Sequence, residues 1–412
     1  MGGMLMLKTL KRNGFMPLLV VAQVVFALVV LVNTGSLLQQ QMAPILAATG
    51  VPEGALLLTH QLNSQDAGQD QWSYASLDSA ERAVRAIPGV IAVSSGMGTP
   101  MSVGGMLVRA TPTDARSGRS VDADVFGGDH LVDTLGLHVL RGRDFSDSDY
   151  MTGSFIKMYQ QTRAALISDT LAQRLFPDGD AVGQEIWMSP KPSKGRDPLR
   201  IVGVFSDTLS SQITGPSVHA VLMLPLRMDD FGIVSFMVRV KPAQRDAVMK
   251  RLPEVLGTAL GMHNPQTMKV ERYEDARAAR LHGNTVASWL LLTVLGTVSI
   301  VVVLGITGLS GFWVQKRTRE IGIQRALGAR RGDILRQYQF ENFLVVCAGA
   351  VLGVLLGLIV AEWLRRHFEL TSPPLAAWAA GALVLVVFGQ LAVLGPARRA
   401  SRVPPVVATR SV

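Results

Sequence analysis

The chain has 412 residues, with 40 Lys+Arg against 31 Asp+Glu, a formal net charge of +9 and pI ≈ 10.0. Charged residues are only 17% and mean hydropathy is +0.29, so the basic excess fits a membrane chain with topological positive charge and argues against a nucleic-acid-binding domain. One cysteine excludes an intramolecular disulfide and a cysteine-based metal cluster.

Lys8, Lys11 and Arg12 precede the first apolar run, Phe15–Val32, which is long enough to span a bilayer. A basic start also marks a signal peptide, but this run is long for an h-region and no A-x-A site follows closely, so a retained span is expected. Gln23 within it is expected to hydrogen-bond to another helix. A segment of about 250 residues follows. Ala55–Thr59 and Val90–Val93 read as strands around a helix, Leu77–Ala86, that ends before Pro88-Gly89. Val234–Val240 alternates, Ala243–Leu260 has helical spacing, and Met268–Val270 is extended. Two β-α-β units predict a split ferredoxin-like domain. Residues from about 105 to 225 read as an inserted, mixed or mainly β subdomain, with short apolar runs such as Ala164–Ile167 and Leu199–Phe205. Within it, Asp114–Arg119 and Ser189–Asp197 read as loops, and Arg141, Arg143 and Asp144 as a turn held by local ion pairs. His130 and His138 read as ordinary loop or core histidines.

Val286–Phe312, Phe343–Val360 and Leu375–Leu394 are three further spans, with Cys347 in the second of these. Gly349, Gly353 and Gly357 form a double G-x-x-x-G that permits close helix packing, within the chain or between chains. Charge sets the orientation. Asn33 to Thr285 carries 24 Lys+Arg and 26 Asp+Glu; the rest carries 16 and 5. Lys316, Arg317, Arg319, Arg325, Arg330, Arg331 and Arg336 between spans two and three, and Arg398, Arg399, Arg402 and Arg410 after span four, join the N-terminal cluster on one side. Both termini are then cytoplasmic. Arg365 and Arg366 run against the rule, with Glu369 nearby as an offset.

The expected fold is an α+β membrane protein with four transmembrane helices, one N-terminal and three C-terminal, and a large extracytoplasmic α/β domain of split ferredoxin-like β-α-β units plus the insert. Its parts are a cytoplasmic start (1–14), helix 1 (15–32), an outer domain (33–285), helix 2 (286–314), an inner elbow (315–342), helix 3 (343–363), a short outer loop (364–374), helix 4 (375–394) and a cytoplasmic tail (395–412).

No G-x-x-x-x-G-K-[ST] loop occurs, so ATP hydrolysis by this chain is not expected. No H-E-x-x-H or zinc spacing occurs, and the span cores lack the ionisable residues of ion-driven carriers. The informative segment is the elbow, Lys316 to Glu341. Arg319-Glu320 to Leu327 continues as a helix, Gly328 suits its C-terminal cap, and Asp333 sits near the start of a second helix with Ile334, Leu335 and Tyr338 on one face; by pattern alone a basic cytosolic linker lying on anionic lipid is the alternative.

Here a resemblance becomes specific. R-E-I-G-I-Q-R-A-L-G-A, Arg319 to Ala329, resembles the cytoplasmic signature of MacB/FtsX-like ABC transporter permeases, and P-A-R-R-A-S-R-V-P-P, Pro396 to Pro405, resembles their end. Asp133 to Phe145, Ala165 to Pro177 followed by Gly183, Ile201 to Val204 and Ile87 to Val90 are similar to the MacB-type periplasmic domain. The resemblance covers essentially the whole chain. It implies a bacterial inner-membrane permease working by mechanotransmission. Arg319, Glu320, Gly322, Arg325, Ala326, Gly328 and Ala329 would dock a cytosolic ABC ATPase, and motion would reach the periplasmic domain to export or extract a hydrophobic or peptide-like substrate. No cofactor is expected in this chain; ATP and Mg belong to the partner ATPase. About a dozen residues precede helix 1, unlike MacB with its fused ATPase, so a separate ATPase subunit is expected. Other expected partners are membrane lipid, a second permease copy or a paralogous permease, and a periplasmic adaptor, with no nucleic acid. The alternatives are an FtsX-like relay regulating a periplasmic enzyme and an uncoupled membrane-anchored binding protein.

Overall fold

A computed structural model describes residues 15–101, 105–111, 120–153, 161–188, 198–211, 217–368 and 372–401. The basic N-terminal cluster, Asp114–Arg119, Ser189–Asp197, Glu369, Arg402 and Arg410 lie outside the described residues. The helices are α1 (Phe15–Leu46), α2 (Tyr74–Arg85), α3 (Leu131–Leu135), α4 (Asp169–Leu175), α5 (Arg245–Leu260), α6 (Tyr273–Lys316), α7 (Thr318–Ala326), α8 (Arg331–Phe368) and α9 (Leu375–Ser401). The strands are β1 (Leu56–Thr59), β2 (Leu62–Asn63), β3 (Val90–Met97), β4 (Gly105–Arg109), β5 (Ser120–Gly128), β6 (Val139–Gly142), β7 (Met151–Gly153), β8 (Ala164–Ser168), β9 (Glu185–Met188), β10 (Leu199–Phe205), β11 (Val221–Met228), β12 (Ile233–Val240) and β13 (Val270–Arg272). Residues divide into a globular unit, Ala43–Thr285, and a membrane-helix unit formed by Met1–Met42 with Val286–Val412.

In the globular unit, four strands lie in the order β13-β1-β12-β3, every neighbour antiparallel. This is the order that two interleaved β-α-β units produce, with β1-α2-β3 and β12-α5-β13 as the halves. Ser73 starts α2 by accepting the Ser76 amide on its side chain (3.3 Å). Leu77, Ala80 and Val84 of α2 and Val248, Leu252 and Leu256 of α5 then fall at helical spacing and are buried together. The extended stretch expected at Met268–Val270 begins at Val270, because Pro265 sets a 3-10 turn over Pro265–Thr267.

The insert shares its apolar core with the first sheet, Val121, Ile167 and Leu222 clustering with Leu77 and Val248. Its strands run β5-β4-β9-β10-β8-β11, and β11 returns to β5, with Val221–Pro225 parallel to Asp124–Gly128. The sheet therefore closes into a six-stranded ring, which removes the edges an open sheet of short strands would expose. Along β5, Val121, Ala123 and Val125 enter one apolar cluster and Phe126 another, as a period of two requires. Among the described residues the ring pairs with the first sheet through β3 and β5, at Gly96↔Gly128 and Met97↔Gly127.

Glu81 on α2 is buried, its Oε1 accepting the Ser95 amide and hydroxyl, both at 2.7 Å. Burial pushes its carboxyl above the usual glutamate value, partly offset by the two Ser95 hydrogen bonds. A raised folded-state pKa contributes stability below the unfolded value of about 4.3 and loses it as pH rises through the folded one. An E81Q variant keeps the acceptor and removes the charge. It is expected to gain stability over the parent at pH 7–8, with the gap closing near pH 4, as read by thermal unfolding against pH.

Among the described residues of the membrane-helix unit, α1, α6, α8 and α9 are four helices long and apolar enough to cross a bilayer. Val24, Ala27 and Leu28 of α1, Val302 and Ile306 of α6, Val346 of α8, and Trp378 and Leu385 of α9 form its core. The glycine ridge of α8 faces this chain's own helices. A Cβ on Gly349 would lie 2.9 Å from Val24, one on Gly353 3.0 Å from Leu28, and one on Gly357 2.1 Å from Trp378. Gln23 Nε2 donates to the Val301 carbonyl of α6 (3.0 Å), so its amide is satisfied by a neighbouring helix. At the other end of α8, Glu362 accepts from Arg365 (2.7 and 2.8 Å) and Arg366 (2.7 Å), so the two arginines that oppose the charge rule are paired within their own helix.

Candidate functional site: the elbow between helices α6 and α8

The elbow begins where α6 breaks after Lys316. The Thr318 hydroxyl bonds back to the carbonyls of Val314 (3.1 Å) and Gln315 (2.8 Å), and the Arg317 amide is shared between Trp313 and Val314 (both 3.2 Å). Such back-bonding competes with a straight helical ladder and bends it. α7 then runs nine residues and stops at a Schellman turn. Gly328 takes φ +101°, open to glycine at little cost, and the Ala329 amide reaches the Gln324 carbonyl (3.0 Å). Asp333 Oδ2 accepts the Arg330 amide (2.9 Å), which caps the start of α8.

One face of this short helix is anchored. Ile321 is buried with Val314, Ile334, Tyr338 and Ala397, and Ala329 and Leu335 pack against them. The candidate docking residues divide accordingly. Arg319, Glu320, Ala326 and Gly328 are exposed, Gly322 is buried, and Ala329 is half-buried. Arg325 lies in α7, and its side chain is outside the described residues. Two residues not singled out from the sequence dominate the outward face. Ile323 is 46% exposed and Leu327 83% exposed. They stand four apart, so they share one stripe. A leucine directly before the capping glycine was the available signal.

A further feature not legible in sequence is a buried ion pair. Arg317 Nη1 lies 3.0 Å from Glu341 Oε2, with side chains 8% and 5% exposed. Gln337 Nε2 donates to the other Glu341 oxygen (3.1 Å), and the guanidinium sits 4.8 Å from the centre of the Trp313 ring.

In the globular unit, the first turns of α6 form a second joint. Tyr273 is fully buried, Glu274 pairs with Arg245 (2.5 Å), and Arg280 donates to the Ser211 carbonyl (3.2 Å). Arg277 Nη2 donates to the carbonyls of Ile45 (2.9 Å) and Ala47 (3.3 Å), which caps the C-terminal end of α1 with positive charge. An R277A variant leaves those carbonyls open. It is expected to destabilise this joint by about 1 kcal/mol and to raise hydrogen exchange over residues 45–48.

The turn expected at Arg141–Asp144 is held by ion pairs. Arg143 forks onto Asp149 (2.5 and 3.1 Å), Arg141 reaches Asp169 (2.7 Å), and the Ser146 amide and hydroxyl also donate to Asp149 (both 2.7 Å). Arg143 is the main cause that holds the Asp149 carboxyl down at about 2. Among the described residues no group of histidine, cysteine and carboxylate side chains is arranged to hold a metal.

A unit of long apolar helices with a bent, capped elbow and a ferredoxin-like unit carrying a closed β insert define a membrane protein with a large domain outside its spans. Residues 15–255 match the MacB-like periplasmic core domain and residues 292–405 the FtsX-like permease C-terminal domain. The chain belongs to this MacB/FtsX-like family of ABC transporter permeases. Among its relatives, a macrolide export ATP-binding/permease protein MacB of Chromobacterium violaceum is 29% identical over 80% of this chain and 49% of its own length. The uncharacterised ABC transporter permease YknZ of Bacillus subtilis is 25% identical over 70% of each. A probable syringafactin export protein SyfD of Pseudomonas syringae is 28% identical over 75% of this chain and 44% of its own. The chain thus spans about half the length of the MacB relative. The extracellular domain of a Gram-positive YknZ aligns with 52% of this chain and 99% of its own at 18% identity, with a TM-score of 0.34.

Proposed function

We propose that this chain is the membrane subunit of an ABC system whose cytosolic ATPase docks on the elbow and drives the periplasmic domain by mechanotransmission. The carrying observation is the Ile323–Leu327 stripe on a helix anchored from behind by Ile321, Ile334 and Tyr338. Exposed apolar side chains on a rigid helix suit a partner groove, and the anchored face lets force pass to α6 and α8. The reading places ATP and Mg on a separate ATPase subunit, with no hydrolase chemistry in this chain. It puts both termini and the elbow in the cytoplasm of a bacterial inner-membrane protein, because the lysine and arginine excess clusters there. The cargo would be a hydrophobic or peptide-like molecule exported or extracted on the periplasmic side. A second permease copy or a paralogue, and a periplasmic adaptor, complete the assembly. The export reading follows the names of relatives such as the probable syringafactin export protein SyfD.

Cross-linking in native membranes should recover an ABC ATPase on the elbow. Recovery of none, or labelling of a Leu327→Cys thiol from the periplasmic side in a Cys347→Ala background, would sink the reading. Recovery of a wall hydrolase through the periplasmic domain would favour the regulatory alternative.

A further inference from the structure

We propose that Arg317 and Glu341 form a positioning pair that sets the angle of the elbow helix α7, so that docking there moves α6 and α8 together. The proposal rests on the elbow being the ATPase dock. Arg317 is the single residue between α6 and α7, and Glu341 lies ten residues into α8. Their side chains meet at 3.0 Å while both are almost fully buried. No second basic side chain is paired with Glu341 among the described residues; its other oxygen takes the Gln337 amide. The Trp313 ring flanks the guanidinium at 4.8 Å, and Glu320 Oε2 lies 3.8 Å from Arg317 Nε.

A buried ion pair is weak evidence for stability, because desolvation offsets most of its attraction. Its value lies in direction. The guanidinium fork and carboxylate accept few relative orientations, whereas apolar contacts such as Ile321 on Tyr338 tolerate sliding. Across the break after Lys316, α7 is otherwise held by the apolar packing of Ile321 with Ile334 and Tyr338, which sets its angle less sharply. The pair crosses that break from behind and leaves Ile323 and Leu327 clear for the partner.

The test uses the full chain in lipid nanodiscs with the ATPase recovered from native membranes. An E341Q variant should exchange the amides of Glu320–Leu327 at least tenfold faster than the parent, with Leu222–Leu224 of β11 unchanged as the folding control. An R317M/E341L double variant replaces the pair by apolar groups. It should keep its melting temperature and co-purify the ATPase, yet lose at least tenfold of the permease-dependent ATP turnover. A merely structural pair would leave that turnover intact in the double variant. Parent-like elbow exchange in E341Q, or parent-like turnover in the double variant, would overturn the proposal. If the parent itself gives no permease-dependent turnover, the docking reading fails, and the exchange measurement alone upholds or overturns the positioning role.

Discussion

An L327D substitution is expected to abolish recovery of the ATPase with this chain. Leu327 is 83% exposed, the largest exposure of any large apolar side chain in the described structure. Covering a leucine in a partner groove contributes roughly 2 kcal/mol, and burying an unpaired carboxylate there costs more than the leucine supplied. The combined loss, about 3 kcal/mol or more, is upwards of a hundredfold in affinity. The fold should not register the change. Leu327 sits outside the Val314–Ile321–Ile334–Tyr338 cluster, and the Schellman turn rests on Gly328 and on the backbone bond from Ala329. Affinity of detergent-solubilised chain for the ATPase is the measurement, with Glu320→Gln as a milder charge-only comparison. Unchanged affinity for L327D would mean that the apolar stripe is not the dock.

A G96V substitution should give a large loss of stability in the periplasmic domain. Gly96 is where the ferredoxin-like sheet crosses onto the ring, and a Cβ there would lie 2.0 Å from the Gly127 carbonyl oxygen. That neighbour is backbone held between Leu224 of β11 and Met97 of β3, so it cannot rotate aside. Overpacking of this kind costs about 3 kcal/mol, which for a domain of this size lowers the melting temperature by roughly 6–12 °C. The crossing also needs its other glycines: a Cβ on Gly128 would come 2.9 Å from the Ser95 carbonyl. Gly179, with open space around it, is the control, and G179A should stay within about 0.5 kcal/mol. A G96V protein that melts with the parent would show that the two sheets are joined by something other than this crossing.

Much of the plan was legible because it is written locally. Hydropathy over about 20 residues marks a span whatever surrounds it, and α1, α6, α8 and α9 contain the four runs expected. They also extend past them, α1 to Leu46 and α6 back to Tyr273, because a helix needs no apolar run once other contacts hold it. Gly328 and Asp333 act on their own neighbours within a few residues, so the helix ends they cap could be read directly. The split β-α-β pattern was legible for the same reason: alternation in Val234–Val240 and helical spacing in Leu77–Val84 are short-range signals.

The basic excess marked a membrane side and pointed to the elbow, but charge alone made every arginine there look alike. The tertiary structure separates them. Arg317 turns inward to Glu341, 24 residues on, while Arg319 and Arg330 stay exposed. The closing of β5 onto β11, the seating of Gly349 and Gly353 against α1 more than 300 residues earlier, and the capping of α1 by Arg277 likewise join residues far apart in sequence. Local pattern determines which face of an element is apolar and where the element stops. Which distant face or charge it meets depends on chain closure and shape complementarity, and these exist only once the chain has folded.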